Sequence, residues 1–220
     1  MNSAVETLKP LALAVAIAVG FALHCSQAQS AEAKTAVFAG GCFWCVEADF
    51  ESVDGVLEAV SGFTGGTVAK PSYKQVTKGG TGHYEAVEIS YDPDRISYEN
   101  LVYLFFRSVD PTDAGGQFCD RGESYRTAVF AAPEQEAAAI AGKQDAAQEL
   151  GRGIVTPILP TQPFYPADSY HQDYYKKGDL ILTRFGPRSK AEAYKLYRKA
   201  CGRDARVKEL WGNAAIFAGE

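Results

Sequence analysis

The sequence has little of what marks several large classes of protein. It contains 5 cysteines among 220 residues, which is too few, and too unevenly spaced, for a scaffold held by disulfides. Its 22 Lys and Arg are outnumbered by 27 Asp and Glu, and no stretch concentrates basic residues with aromatic residues between them. We therefore expect neither a nucleic acid nor an anionic membrane surface as the main partner.

Long hydrophobic runs are also scarce, and one lies near the N-terminus. Residues 11–23 form 13 uninterrupted apolar positions, fewer than the roughly 20 of a membrane-spanning helix. Small residues follow from Ala28, which completes the pattern of a secretory signal cleaved near residue 30. We predict that residues 1–30 are a signal peptide, that the protein is exported to the periplasm, and that it has no stable membrane insertion. The alternatives are an uncleaved anchor and lipidation at Cys25, although His24 is bulky for the position before a lipidated cysteine.

The rest of the chain has the composition of a globular protein. With 46% hydrophobic and 22% charged residues, we expect one core and a single domain over residues 34–220. The protein is expected to be a monomer. Periodicity predicts strands at 35–39, 56–63, 84–91, 125–131 and 155–159, helices at 43–53, 97–108, 133–150 and 189–200, and a loop at 68–82. This order predicts an α+β, two-layer sandwich with a mixed or antiparallel sheet.

A cysteine-containing motif lies where the first strand meets the first helix. Gly40 and Gly41 permit a tight turn before Cys42, and Cys45 follows three residues later. Backbone N–H groups at a helix start lower the pKa of a thiol, so Cys42 is a candidate nucleophile. The structural alternative is a small buried hydrophobic residue. Trp44 is placed to form the wall of a pocket for a small apolar group.

A carboxylate stands at the head of the strand predicted at 84–91. Glu85 shares a strand face with apolar residues, so burial is expected to raise its pKa and keep a proton available for donation. If the side chain lies beyond the buried part of the strand, it faces water instead. His83 and His171 are expected to be structural, because no neighbouring motif recruits them.

Several segments together resemble the peptide methionine sulfoxide reductases of the A type. The resemblance covers about residues 36–175 and rests on GCFWC from Gly41, PSYKQV, GHYEAV, YDP, DPT, DRGESYR and FYPA. Cys45 stands where the family often has glycine, and Phe118-Cys119-Asp120 stands where it commonly has Gly-Asn-Asp. The Gly-rich tail that usually carries the resolving cysteine is missing.

The resemblance implies a ferredoxin-like core, an extended C-terminal segment and a redox mechanism. Cys42 would attack the sulfur of methionine S-sulfoxide, protein-bound or free, and become a sulfenic acid. The implied catalytic set is Cys42, Glu85, Tyr73, Asp120 and Tyr125, and the implied substrate-binding pair is Phe43 and Trp44. No metal or organic cofactor is expected. An external dithiol such as thioredoxin would restore the enzyme, which would repair oxidised proteins.

The resolving thiol is open among Cys45, Cys119 and Cys201. Cys45 is the preferred candidate, since residues three apart at a helix start share a face within reach of a disulfide. Cys119 precedes Asp120, and Cys201 follows a predicted amphipathic helix. Either of these two could equally be a bystander.

Two other functional classes account for part of the sequence. A thioredoxin-like dithiol–disulfide oxidoreductase would use Cys42 and Cys45 as a CxxC pair, but it leaves Glu85 without a role. A Cys/His metal-binding module is less favoured, because no second ligand pair has suitable spacing.

Overall fold

A computed structural model describes residues 32–219 of the protein. The predicted signal peptide therefore lies outside the described residues. Within residues 32–219, no helix combines the length and apolar character needed to cross a bilayer.

Strands and helices alternate along the first half of the described chain. The strands are β1 (Lys34–Gly40), β2 (Val56–Thr64), β3 (Tyr84–Tyr91), β4 (Gly116–Gln117), β5 (Asp120–Arg121), β6 (Thr127–Ala131), β7 (Ile158–Pro160), β8 (Tyr165–Pro166), β9 (Leu180–Thr183) and β10 (Gly186–Ser189). The α-helices are α1 (Phe43–Glu51), α2 (Tyr73–Lys78), α3 (Tyr98–Phe106), α4 (Glu136–Leu150), α5 (Lys190–Cys201) and α6 (Arg203–Trp211).

The main sheet is mixed and has the strand order β7-β6-β1-β3-β2-β8. Every neighbouring pair in it is antiparallel except β6 and β7. The units β1-α1-β2 and β3-α3-β6 place β1 and β3 at the centre, which is the ferredoxin-like arrangement. The predicted α+β sandwich with a mixed sheet is thus confirmed.

The core lies between this sheet and its helices because β1 alternates its side chains. Phe38 points to the helical face, where its ring lies 5.5 Å from that of Phe50 in α1 and 4.8 Å from that of Phe105 in α3. Ala39 points to the other face and packs in a smaller buried cluster with Phe130. The period-2 pattern of the strand therefore fixes which face receives α1.

Two predictions about local structure were incomplete. The predicted loop at 68–82 contains α2, which begins with a capping box in which Ser72 and Gln75 exchange hydrogen bonds. The last predicted strand, 155–159, begins only at Ile158. The sequence interpretation also missed β8 and the β9–β10 hairpin, because strands of two to four residues are too short for a periodic pattern.

The C-terminal helices fold back onto the end of β1. Ser189 caps α5 through a capping box with Glu192, and Gly202 ends that helix in the left-handed conformation. Arg203 then donates hydrogen bonds to the carbonyls of Gly40 at 3.1 Å and Ser108 at 2.9 Å. These contacts bring the C-terminal segment to the turn that carries Cys42.

Candidate active site

The turn between β1 and α1 depends on glycine. Gly41 has a φ of 82°, in the left-handed region, and a Cβ there would lie 2.5 Å from the Cβ of Gln117. Cys42 follows as the N-cap residue of α1. The sequence prediction of a tight glycine turn that presents Cys42 at a helix start agrees with this geometry.

Glu85 lies beside that helix start and is almost fully buried, with 1% of its surface exposed. Its Oε2 accepts a hydrogen bond of 3.1 Å from the backbone N–H of Phe43, and its Oε1 has no partner. Burial raises the pKa of Glu85 to about 8, against the opposing effect of the Phe43 hydrogen bond. At neutral pH the side chain is therefore a protonated acid with one oxygen free for a ligand.

Tyr73, Asp120 and Tyr125 line the same cavity as Cys42 and Glu85, with a volume of about 400 Å³. Burial, with the nearby Glu85 carboxylate, raises the pKa of both tyrosines, so their hydroxyls remain donors. Burial also raises the pKa of Asp120, although Arg203 and Arg184 oppose this effect. All five residues of the implied catalytic set thus meet in one place.

The two cysteines of the motif have opposite electrostatic surroundings. A hydrogen bond from Cys42 to Cys45, together with burial, raises the pKa of Cys42. The carboxylates of Glu85 and Asp120 act in the same direction. The same hydrogen bond lowers the pKa of Cys45, as do the guanidinium groups of Arg203 and Arg198, in spite of its burial. The expected lowering of the Cys42 pKa is therefore not found, because its hydrogen bond, burial and two carboxylates all favour the thiol.

Trp44 and Phe43 contribute differently to the cavity. The Trp44 ring stacks on Tyr174 with centroids 3.7 Å apart, and Trp44 lies on the cavity wall. Phe43 is buried, and its ring packs on Phe63 at 5.8 Å and Tyr73 at 6.1 Å. Trp44 and Phe43 therefore both line the cavity, as predicted for the pair, and Phe43 also packs into the core.

Cys119 and Cys201 are bonded to each other, with an S–S distance of 2.03 Å, whereas Cys42 and Cys45 are free. Cys119 is exposed and Cys201 is half-buried, while Cys45 is buried. The two cysteines are 82 positions apart, so no local sequence pattern indicates that they pair, and the sequence alone offers them as separate candidates. Asp120 lies within 4.8 Å of both sulfurs, but the disulfide leaves no thiolate there to bind a metal.

Much of the cavity wall comes from the C-terminal segment and was missed by sequence reasoning. Tyr194, Tyr197, Arg198 and Cys201 of α5 all line the cavity. Their spacing of i, i+3, i+4 and i+7 defines one helix face, and this was the signal that could have revealed them. The remaining C-terminal contributions are Tyr170, Tyr174, Ile181, Leu182, Arg184 and Arg203.

The two histidines of the described chain have structural surroundings. Nδ1 of His83 accepts from the Gly66 N–H at 3.1 Å, and its Nε2 donates to the Val68 carbonyl at 2.7 Å. His171 packs between aromatic rings, 4.2 Å from Tyr73 and 5.7 Å from Trp44. Both contacts agree with the structural role expected for them.

Comparisons with known proteins agree with this geometry. The family model described as peptide methionine sulfoxide reductase matches residues 34–205. The peptide methionine sulfoxide reductase MsrA 2 of Caulobacter vibrioides is 51% identical over 180 residues, 81% of this chain and 86% of the relative. The protein of the same name from Rhizobium meliloti is 48% identical over 204 residues, 91% of this chain and 96% of the relative.

Solved structures give the same result. Methionine sulfoxide reductase A of Corynebacterium diphtheriae is 30% identical with a TM-score of 0.61, covering 66% of this chain and 75% of the other. Reduced Mxr1 of Saccharomyces cerevisiae is 33% identical with a TM-score of 0.62, covering 66% and 84%. The chain therefore belongs to the A-type peptide methionine sulfoxide reductase family.

Proposed function

We propose that the protein reduces methionine S-sulfoxide, free or within a polypeptide, to methionine. The observation that carries this proposal is a buried acid with a free oxygen beside a cysteine. Glu85 has a pKa of about 8 and an unpartnered Oε1, and it lines one cavity with Cys42 and Trp44. A sulfoxide needs all three: a nucleophile for sulfur, a proton donor for oxygen, and an apolar wall for the methyl group.

In the first step, the Cys42 sulfur attacks the sulfoxide sulfur while Glu85 donates a proton to the oxygen. Tyr73 and Tyr125 donate hydrogen bonds to the same oxygen as negative charge develops on it. The oxygen passes to Cys42 with that proton, the thiol proton of Cys42 restores the acid form of Glu85, and methionine leaves. The methionine sulfur is reduced by two electrons, and Cys42 is oxidised by two electrons to a sulfenic acid.

In the second step, Cys45 condenses with the sulfenic acid. A Cys42–Cys45 disulfide forms and one water molecule leaves. The hydrogen bond between the two cysteines, and the guanidinium groups that lower the pKa of Cys45, support Cys45 as the resolving thiol. Overall, one sulfoxide and two thiols give one thioether, one disulfide and one water.

We propose that the disulfide between Cys119 and Cys201 returns electrons to the active site. Cys119 is exposed, and both of these cysteines line the cavity that holds Cys42. A thioredoxin-like dithiol reduces the exposed disulfide by two electrons. The resulting thiols exchange with the Cys42–Cys45 disulfide, which restores two thiols there and re-forms the Cys119–Cys201 bond.

The test is a single turnover without reductant. The full-length protein is mixed with the separate S and R sulfoxides of N-acetylmethionine amide, and product and protein masses are recorded. We expect one methionine per protein from the S form alone, with loss of two hydrogens and a Cys42–Cys45 crosslink. In Cys45→Ser, Cys42 should instead retain an added oxygen. Failure to consume the S form would overturn the proposed function.

We also propose that the protein is exported after cleavage near residue 30. The family match begins at residue 34, just beyond the predicted signal. Expression in a bacterial host with a periplasm should yield mature protein that begins near Ala31 and carries no lipid, as measured by intact mass. Retention of residues 1–30 in cytoplasmic protein would contradict this.

A further inference from the structure

Two leucines of the β9–β10 hairpin are unusually exposed. Leu180 is 79% and Leu182 is 86% exposed, more than any other large apolar side chain among residues 32–219. Residues two apart on a strand project from the same face, so the leucines form one apolar strip. A single exposed leucine is ordinary, but adjacent ones beside a cavity indicate a binding surface.

The strip continues into the active-site cavity. Leu182 lines the cavity that contains Cys42, and its neighbours Ile181 and Arg184 do the same. Tyr170, which is 46% exposed, is a further member of the cavity wall. A chain that inserts one side chain toward Cys42 therefore has apolar surface beside it at the cavity rim.

The hairpin is anchored rather than free. The turn is closed by hydrogen bonds from Thr183 Oγ1 to the Gly186 carbonyl, 2.8 Å, and from the Phe185 N–H to Thr183 Oγ1, 3.0 Å. The Phe185 ring packs on Tyr197 of α5, with centroids 5.4 Å apart. The leucine strip is thus held in position before any ligand arrives, which lowers the entropy lost on binding.

The outer edge of β9 is unpaired within the described residues, since β10 is its one neighbour. Leu182 lies opposite Pro187, which has no N–H, and Leu180 lies opposite Ser189. In an antiparallel pair with this register, the backbone groups of Leu180 and Leu182 point away from the partner strand. They offer donors and acceptors to an added extended chain.

We propose that this hairpin binds the polypeptide that carries the sulfoxide, and that it selects substrates with apolar residues beside the oxidised methionine. This rests on the proposed function and names its substrate class. The peptide lies extended along β9, its sulfoxide side chain enters the cavity, and its apolar neighbours cover Leu180 and Leu182. Main-chain hydrogen bonds to β9 can form with peptides of many sequences, while Leu180 and Leu182 favour peptides with apolar residues beside the methionine.

The experiment compares two acetylated pentapeptides whose central methionine S-sulfoxide is flanked by leucine or by serine. The readout is the ratio of their kcat/KM values with full-length protein and a small dithiol. We expect about a ten-fold preference for leucine flanks in the wild type, since each leucine buries apolar area. In Leu180→Ser/Leu182→Ser the ratio should fall to within about two-fold of unity.

The matched control is Leu57→Ser, which removes an exposed leucine from β2 outside the cavity lining and should keep the wild-type ratio. A wild type without preference, or a double variant that keeps it, overturns this proposal alone. If the wild type reduces the S-sulfoxide in none of the assays, the proposed function and this proposal are both overturned.

Two further outcomes would assign the hairpin another partner. If only the KM for a thioredoxin-like protein rises in the double variant, the hairpin binds the reductant and the proposal is wrong. If the double variant loses only concentration-dependent dimerisation, a second copy of this chain covers the hairpin and the proposal is equally wrong.

Discussion

Cys42 and Cys45 lie three residues apart and line the same cavity, but the charged groups around them have opposite signs. Around Cys42 are the carboxylates of Glu85 and Asp120, supplied by β3 and by the segment before β6. Around Cys45 are the guanidinium groups of Arg198 and Arg203, supplied by the C-terminal helices. In the proposed mechanism, the acidic side supplies the proton that reduces the sulfoxide, whereas the basic side favours a thiolate at Cys45 for resolution. One helical turn therefore separates two chemical tasks.

Removal of the Cys42 sulfur should have the largest effect. We expect Cys42→Ser to lower sulfoxide reduction by about 10⁴-fold or more, because a serine hydroxyl is a far weaker nucleophile than sulfur and cannot be oxidised to a sulfenic acid. Single-turnover product formation measures this. Cys45→Ser should keep the first step, since it retains the Cys42 sulfur, Glu85 and the cavity wall. If Cys42→Ser and Cys45→Ser lower the rate of product formation equally, the proposed division of roles between the two thiols is wrong.

The next largest effect is expected on the basic side. Arg203 is buried, donates to two backbone carbonyls, and lies 3.8 Å from Asp49. We expect Arg203→Met to lower the free energy of unfolding by about 3–5 kcal/mol, because it leaves a buried carboxylate with weaker compensation. Urea unfolding measures this.

The control for this variant is Arg188→Met, at an exposed position of β10, with an expected change within about 0.5 kcal/mol. In folded Arg203→Met, disulfide formation after sulfoxide reduction should also slow, because the pKa of Cys45 rises. An unchanged rate of disulfide formation would show that Arg203 does not activate Cys45.

On the acidic side, Glu85→Gln should slow sulfoxide reduction by about 10²-fold, the usual scale for a positioned proton donor. The wild-type rate should fall as pH rises through about 8, where Glu85 loses its proton. That fall should be absent in the variant. Glu88→Gln, on the opposite face of β3, is the matched control. A wild-type rate that stays level from pH 6 to 9 would be inconsistent with Glu85 as the donor.

The smallest effect is expected for Tyr125→Phe. It removes one hydroxyl donor, which corresponds to roughly a three- to ten-fold slower reductase step. The control is Tyr84→Phe, because the Tyr84 ring packs on Phe130 away from the cavity. Stopped-flow single turnovers resolve a difference of this size. Equal rates for Tyr125→Phe and wild type would assign the donor role to Tyr73 alone.

Sequence reasoning located the acidic side well because its signals are local. The glycine turn, Cys42 and the alternation of β3 around Glu85 all lie within short segments. The α+β class with a mixed sheet followed from the succession of elements. The family resemblance supplied the ferredoxin-like core and selected Tyr73, Asp120 and Tyr125 from otherwise ordinary residues. The pKa of Cys42 was misjudged, because it depends on burial and on carboxylates distant in sequence.

The basic side could not be predicted in the same way. Arg203 reaches Gly40 across 163 positions, and Cys119 reaches Cys201 across 82. Such contacts follow from how α5 and α6 pack on the domain, which no periodicity in a single segment encodes. The capping box at Ser72 was local but was overlooked among residues typical of loops.

Because Glu85 is buried as an acid, proton binding to its side chain also stabilises the native state. Its pKa rises from 4.5, the ordinary value that applies in the unfolded chain, to about 8 in the folded protein. The folded protein therefore binds more protons than the unfolded chain between these pH values. This contribution to stability is fully present below pH 4.5, declines as pH rises, and is lost above about 8. Acidic pH thus keeps a proton on Glu85 and, through this residue, favours the folded protein over the unfolded chain.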